Sequence, residues 1–494
     1  MSAGIRRLLD DRGPMGGSIA AMMLVVAWVS TWRPQIDADA WWHVAYGRSI
    51  LDGGALPATE QFSWLTGASP VVLHSWLWDV LIGVADRLGG PTGMSLLGLP
   101  FLAVIVALTW LLTGTVSRDV APIPRATLVL IAMLAGLGFW GSRGSTLDVA
   151  FVLGTALVVA RYLDVGSTRP LWALPVIGLL WANLHGSGVP AFGVCLLAVV
   201  VALLLANRLG DWPRRSVRPI ALVAVGAGAA TVLNPYGLRL WTYPLDRGVA
   251  SAFATEIVEW RPPDLGAPEL FVFRLLIPVS LFVLWWARAR SPHPFIILLV
   301  AGWTFVALAV ARFVPIAGVL LAVAIAPALS TRPVVEDTPT ASIDRRLLLI
   351  PSAILAVVVL LIGWSFIAPD AQIAAIAHRE PVASVEVLQS ADCPGRMLAS
   401  YEWGGYVIRY ADRQVGAYGN SPEEAVTDQT AVEQLQVDPG PWLDAEQVDI
   451  VLAHADGPLS HWLDETDDWD RPYADPQATI HVRAGAAVAC DPTG

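Results

Sequence analysis

The chain has 494 residues, 55% of them hydrophobic and only 15% charged, with a mean hydropathy of +0.57. A water-soluble domain of this length does not carry so much apolar surface, and long apolar runs place the sequence among polytopic membrane proteins. The net charge of −11, with no basic stripe to meet phosphates, excludes nucleic acid as a partner.

Arg6, Arg7 and Arg12 precede an apolar run from Ile19 that has the outline of a signal peptide. No small-residue cleavage site follows it, and Trp28, Trp32 and Arg33 read as an interfacial stop, so the run is expected to stay as an uncleaved first helix. Apolar runs of about spanning length occur near 17–33, 94–114, 126–141, 147–163, 170–184, 188–206, 218–233, 270–287, 294–310, 313–330 and 347–368. The pair 170–184 and 188–206 is expected to bend or break around Gly186-Ser187-Gly188-Val189-Pro190. The segment 72–88 has an apolar face that suits a re-entrant or interfacial helix.

Arginine placement orients these runs. With the N-terminus in the cytoplasm and alternating spans, the clusters Arg118/Arg125, Arg161/Arg169, Arg208/Arg214/Arg215/Arg218, Arg288/Arg290 and Arg332/Arg345/Arg346 all fall inside. That satisfies the positive-inside rule for about eleven spans and puts the C-terminal region outside. The outer loops then hold Asp37, Asp39, His43, His74, Asp79, Arg143, Asn183, His185, Asn234, Arg239, Glu256, Glu259 and Arg312. Polar groups gathered at the outer ends of several helices are expected to build a site.

The densest cluster is Asp37-Ala38-Asp39-Ala40-Trp41-Trp42-His43, directly after the first span. In extended backbone the two carboxylates would share a face. One can serve as general base while the other orients an acceptor or binds a divalent cation, Mg or Mn, which this residue set admits without requiring. The other reading is a helix cap, and the two are compatible, with Asp39 capping a short helix and Asp37 free. His74, in the aromatic stretch His74-Ser75-Trp76-Leu77-Trp78-Asp79, suits a phosphate or a metal, or a structural hydrogen bond. Asn183 and His185, in Trp181-Ala182-Asn183-Leu184-His185-Gly186, suit a sugar and a lipid-linked phosphate, or else a helix stop. Asn234-Pro235-Tyr236-Gly237 is a turn by composition, and the loop after it, with Glu259, has the make-up of a lid. Arg143 and Arg312 lie in very short outer loops, where a planar guanidinium suits a phosphate or pyrophosphate; snorkelling to the interface is the alternative.

The division expected is a transmembrane domain, 1–368, carrying the outer loop 34–92, and a polar extracytoplasmic α/β domain, 369–494. In the latter, Gly404-Gly405 reads as a turn leading into a strand through Tyr410. Strands are expected at Asp449–Leu452 and at His481–Arg483 with Ala487-Val488, and helices at 421–436 and 456–464. Cys393 and Cys490 lie on the oxidising side, where they suit a disulfide.

The motifs together carry a resemblance. Asp37-x-Asp39-x-Trp41-Trp42-His43, the glycine-punctuated stretch ending at Pro57, Phe62-Ser63-Trp64, His74-x-Trp76-Leu77, Trp181-x-Asn183-x-His185-Gly186, Asn234-Pro235-Tyr236-Gly237 and Tyr401-x-Trp403-Gly404-Gly405-Tyr406 resemble a bacterial and archaeal family of polytopic proteins. That family is similar to the GT-C superfamily of membrane glycosyltransferases. The resemblance implies a sugar donor linked to polyprenyl phosphate or pyrophosphate, used on the outer face of the bacterial plasma membrane. By position it makes Asp37 or Asp39 the catalytic acid residue of the first outer loop, with a cell-envelope glycan or protein as acceptor. Two departures stand out: Ala417-Tyr418-Gly419-Asn420 replaces an acidic Asp-Gly-Arg turn, and Ser75 and Asp79 stand where a glutamate is usual. On this reading the enzyme is an inverting transferase, with His43, His74, Arg143, Asn183, His185, Asn234, Glu259 and Arg312 binding the donor. The alternatives are a transporter or flippase of lipid-linked saccharide, or a non-catalytic envelope scaffold.

Overall fold

The computed structural model describes residues 10–35, 37–67, 69–209, 215–246, 258–287, 292–330, 345–390 and 395–485. Each apolar run of the sequence carries a helix: Pro14–Val29, the later part of Trp76–Val116, Pro122–Ala135, Gly144–Val165, Ala173–Leu184, Val189–Leu209, Val217–Thr231, Phe271–Trp286, Pro294–Ala309, Val314–Ile325 and Arg345–Ile367. Among the described residues six helices are long and apolar enough to cross a membrane, and four more apolar helices are shorter. The chain is a multi-pass α-helical membrane protein.

The ends of these helices follow from local chemistry. Pro14, Pro122 and Pro294 stand in the first turn, where the missing N–H costs nothing. The His293 ring accepts from the Phe295 N–H at 3.1 Å and starts the Pro294–Ala309 helix. Gly166 closes Gly144–Val165 in the left-handed conformation, φ 82°. The expected break near 186 is present, as a 3-10 turn Gly186–Gly188 between Ala173–Leu184 and Val189–Leu209.

The chain divides into two compact units. The first comprises Met1–Arg33, Ser95–Trp241 and Val258–Ala368; the second comprises Pro34–Met94, Thr242–Ile257 and Pro369–Gly494. In the first, every residue of Val314–Ile325 is buried. A Cβ at Gly318 would come within 2.7 Å of the Ala135 side chain, so the glycine sets a close helix approach. Leu281, Phe282, Trp285 and Trp286 are exposed on one helix, and Ile354, Leu361 and Ile362 on another. Such faces suit hydrocarbon, which gives apolar side chains no reason to turn inward.

The second unit holds the helix Asp39–Gly53, the start of the 76–116 helix before its break at Gly89 and Gly90, and a four-stranded sheet. The strands are β1 (Arg396–Ala399), β2 (Val448–His454), β3 (Trp469–Ala474) and β4 (Ala478–Arg483), in the order β1-β2-β4-β3. Only β1 with β2 is parallel. Leu398, Val451, Leu459, Leu463 and Trp469 form its core. Helices Glu423–Glu433 and Pro458–Asp464 stand where the sequence places them.

One element differs. Tyr401–Trp403 is a 3-10 turn and Gly404–Ala411 an α-helix, not a turn and strand. Tyr406 and Tyr410, four positions apart, share a helical face instead: their rings lie 4.6 Å apart. Trp41 packs edge-on against both, at 5.4 and 5.6 Å. The glycines serve close approach rather than a turn. A Cβ at Gly405 would sit 2.9 Å from the Ala38 carbonyl, and one at Gly404 would sit 2.9 Å from the Tyr418 Cβ. Cys393, Cys490 and the Ala487-Val488 strand residues lie outside the described residues.

Candidate active site

In the second unit the site grows from the start of the helix Asp39–Gly53. Ala38 is already in right-handed helical conformation, so Asp37 and Asp39 are not the extended pair that shares a face. Asp39 is the first helical residue and does not cap. The Asp37 carbonyl accepts from the Ala40 N–H at 3.0 Å, and its carboxylate lies 3.4 Å from the Asp39 N–H. A carboxylate at this position is favoured by the positive end of the helix dipole.

Asp39 is exposed but held. Its Oδ1 accepts from the Trp42 indole N–H at 2.9 Å. On the other side stands Gly419, whose hypothetical Cβ would lie 2.2 Å from that oxygen and 2.6 Å from the Trp42 Nε1. The turn that departs from the resemblance, Ala417-Tyr418-Gly419-Asn420, therefore forms the wall against Asp39. Trp42 in turn stacks on His43, centroids 3.6 Å apart. His43 Nδ1 is 2.5 Å from Asp79 Oδ1, both buried. Asp79 is thus the acid of the His74–Asp79 segment, and it fixes His43 from behind. His74 stacks on Tyr243 at 4.9 Å.

Two further carboxylates complete this region. Glu60 accepts from the hydroxyls of Tyr46 (3.0 Å) and Tyr418 (2.8 Å) and from the N–H groups of Gln61 and Phe62. The hydroxyls of Tyr46 and Tyr418 are themselves 2.8 Å apart. Burial first, and then the Glu60 charge, push the Tyr46 hydroxyl well above its ordinary value. Glu380 is 3% exposed and accepts from the Trp41 indole N–H at 2.9 Å. Burial pushes its carboxyl up to about 7, with the neighbouring Glu402 and Asp37 charges acting in the same direction. Sequence reading missed Glu60, Glu380, Tyr418 and Gly419. The available signal was the tryptophan pair, since a buried indole N–H needs an acceptor.

In the first unit the site residues form two groups. Arg143, at the start of Gly144–Val165, reaches Glu259 at 2.5 Å. Arg312 lies over the Trp260 ring at 4.9 Å. Burial works to raise the Glu259 carboxyl, but the Arg143 and Arg312 charges outweigh it and hold it below the usual carboxylate range. The two guanidiniums, Glu259, Phe139 and Trp140 line a hollow of about 10 Å³, the space of roughly one water. In a hollow this small a phosphate could meet only the outer edges of these groups.

His185 belongs to the other group. Its Nδ1 is 2.8 Å from Asp148 Oδ1, which also accepts from the Trp181 indole at 2.7 Å. Gly144 and Gly188 leave room for this cluster: a Cβ at 144 would lie 2.6 Å from the His185 ring, and one at 188 would lie 2.4 Å from Asp148. Asp148, buried in a span, was not singled out from sequence. The Asn183 amide donates to the Leu179 and Leu233 carbonyls (2.8 and 3.0 Å). Asn234 donates to Thr231 and Gly237 and accepts from the Tyr236 N–H (2.7 Å). These contacts to backbone shape helix ends and the turn.

Among the described residues no three His, Cys, Asp or Glu side chains are grouped to hold a metal ion. Asp37 and Asp39 would hold a divalent cation only with water or substrate oxygens completing its shell.

No protein-family model matches the chain, and no curated protein matches it in sequence. Solved structures match its fold. The archaeal oligosaccharyltransferase AglB from Archaeoglobus fulgidus, in complex with an inhibitory peptide and a dolichol-phosphate, is similar over 88% of this chain and 69% of its own, with TM-score 0.61 and 12% identity. ArnT from Cupriavidus metallidurans bound to undecaprenyl phosphate is similar over 95% of this chain and 98% of its own, with TM-score 0.52 and 13% identity. The apo state of ArnT gives TM-score 0.51 and 14% identity. The fold is GT-C-like, with a small C-terminal sheet region.

Proposed function

We propose that the protein is a membrane glycosyltransferase. It moves a sugar from a polyprenyl-phosphate-linked donor to a cell-envelope glycan or protein acceptor, on the extracytoplasmic face of a bacterial plasma membrane. The observation that carries the reading is the Asp39 carboxylate, exposed at a helix start yet fixed between the Trp42 N–H and Gly419. The GT-C-like fold supports the class, as do the polyprenyl-phosphate ligands of AglB and ArnT. The arginine pattern supports a cytoplasmic N-terminus with residues 369–494 outside.

In the inverting reaction, Asp37 or Asp39 takes the proton of an acceptor hydroxyl, and Asp39 has the better fixed side chain. The hydroxyl oxygen attacks the anomeric carbon from the face opposite the phosphate. The bond from that carbon to the phosphate oxygen breaks, and its electron pair leaves with the polyprenyl phosphate. The leaving group needs charge stabilisation more than a proton, and Arg143 and Arg312, with His185, are assigned to it. Glu259 holds Arg143, and His43 backs Trp42, whose indole holds Asp39; Asn183 and Asn234 shape the helix ends beside them. No step passes through a metal.

The test is the double variant Asp37→Asn/Asp39→Asn in membranes supplied with a labelled polyprenyl-phosphate sugar. Transfer should vanish at unchanged protein level. Retained transfer would remove both residues from the chemistry.

A further inference from the structure

The second unit contains a groove that the catalytic assignment does not use. It has a volume of about 560 Å³, within the range of sites that enclose a small ligand, and it is lined by Glu60, Ser63, Trp64, Arg396, Arg413 and Gln414. Trp64 gives it a fixed aromatic wall: the indole N–H donates to the Met397 carbonyl at 2.9 Å, and the ring packs near Trp442 at 6.4 Å. Half-buried and anchored, that ring costs little entropy to use.

The charge of the groove is unusual for its surroundings. After residue 368 the sequence has 22 acidic residues and six arginines, and two of those six stand here. Elsewhere in this segment arginines meet carboxylates: Arg409 pairs with Asp86, Arg471 with Asp464 and Arg483 with Asp444. The Arg396 guanidinium donates to the Glu446 carbonyl at 2.7 Å and lies 5.5 Å from the Trp64 ring centre, while its backbone N–H donates to Asp449 Oδ2 at 2.9 Å. Arg413 donates to the Gly395 carbonyl at 3.1 Å. The Gln414 amide nitrogen donates to the Gln61 carbonyl at 2.9 Å, which leaves its oxygen as an acceptor for a hydroxyl.

Glu60 is the one acid in the lining. Its oxygens accept from the Tyr46 and Tyr418 hydroxyls and from two backbone N–H groups, which fix the carboxylate against the buried side.

An aromatic face, two guanidiniums and an amide together match one ligand chemistry: a sugar ring that bears a carboxylate. We propose that this groove binds a uronate-bearing glycan, as a subsite for the acceptor of the transfer. The identification as an acceptor site rests on the glycosyltransferase reading; the binding itself does not. The groove also communicates with Asp39. Glu60 at its floor holds Tyr418, and Tyr418 precedes Gly419, which walls Asp39. Occupancy of the groove therefore steadies the turn that positions the base.

The test uses the full-length protein in detergent, titrated calorimetrically with a glucuronate-containing disaccharide and with its uncharged glucose counterpart. The uronate should bind at least tenfold tighter, with an affinity that falls as salt rises. Arg396→Ala and Trp64→Ala should each weaken it tenfold or more, and Arg396→Lys should recover part of the loss. Arg413→Gln, which keeps a donor for the Gly395 carbonyl, should weaken the uronate and leave the neutral sugar unchanged. Equal affinity for the two sugars, no binding of either, or uronate binding untouched by the Arg396 and Trp64 changes in melting-competent protein would each overturn the proposal. Asp37→Asn/Asp39→Asn should keep full binding. Uronate binding by a wild-type protein that transfers nothing would uphold the groove and fell the transferase reading, while wild-type transfer without uronate binding would do the reverse.

Discussion

Replacing Gly419 by alanine probes how Asp39 is held. The new Cβ would lie 2.2 Å from Asp39 Oδ1 and 2.6 Å from Trp42 Nε1. An unstrained carbon–oxygen contact is about 3.3 Å, so something must move by about 1 Å. Trp42 is 4% exposed and stacked on His43, which is pinned by Asp79, so the ring does not yield. Asp39 is exposed and does, and the turn carrying residue 419 must also shift, because its Cβ would still lie 2.6 Å from Trp42 Nε1. The Asp39 side chain swings away and loses its bond from the indole N–H, a charged hydrogen bond worth about 1.5–3 kcal/mol at most. Because the carboxylate regains water, the stability loss should stay below about 2 kcal/mol. Turnover should suffer more. A displacement of about 1 Å at a reacting group lowers rate by about a hundredfold. The assay compares kcat and KM for transfer with the thermal midpoint of the purified protein. A fall in kcat with a small shift in midpoint is expected, and Gly419→Ser should behave alike. Wild-type kcat in Gly419→Ala would refute the reasoning and move the base to Asp37.

Glu380 ties stability to pH. Its folded value is raised from 4.5 to about 7, so the folded state holds that proton more tightly than the unfolded chain. Its contribution is fully present below about 4.5 and is lost as pH rises through about 7, on the order of 3 kcal/mol in all. Glu380→Gln should therefore gain stability relative to the parent between pH 5 and 8 in urea melts, and parallel curves would contradict it. For the first unit, Arg143→Ala with Arg312→Ala should lower kcat for transfer by at least tenfold, and an unchanged value would free both from the phosphate. Glu259→Gln, which removes the carboxylate at 2.5 Å from Arg143, should lower the KM for the donor, since more positive charge is left to bind it. Chelation with EDTA should leave transfer intact; loss restored by Mg or Mn would put a cation on Asp37 and Asp39.

What the sequence disclosed depends on how local the signal is. Apolar length alone located the helices, and the Gly186-to-Pro190 run marked the break at Gly186–Gly188 because glycine and proline act on their own backbone. The Asp37–His43 cluster was visible because its residues are neighbours in sequence, and Asp39, Trp42 and His43 do touch. Gly404-Gly405 misled because a glycine pair marks a turn and a close helix approach equally well. Glu60 with Tyr418, Trp41 with Glu380 and Asp39 with Gly419 were invisible, since each pairs residues more than 300 positions apart. Asp148 was hidden among apolar neighbours, where a buried acid in a span should have prompted the question of which side chain it holds.

The central claim is that a sugar leaves its lipid carrier on this protein. The most direct measurement is to reconstitute the wild-type protein in vesicles with a polyprenyl-phosphate-linked sugar and an acceptor glycan, and to follow the lipid by mass spectrometry. The account predicts free polyprenyl phosphate and an acceptor heavier by one sugar, formed by the wild type and not by Asp37→Asn/Asp39→Asn. An intact donor that merely appears in the opposite leaflet would contradict it and make the protein a carrier of lipid-linked saccharide.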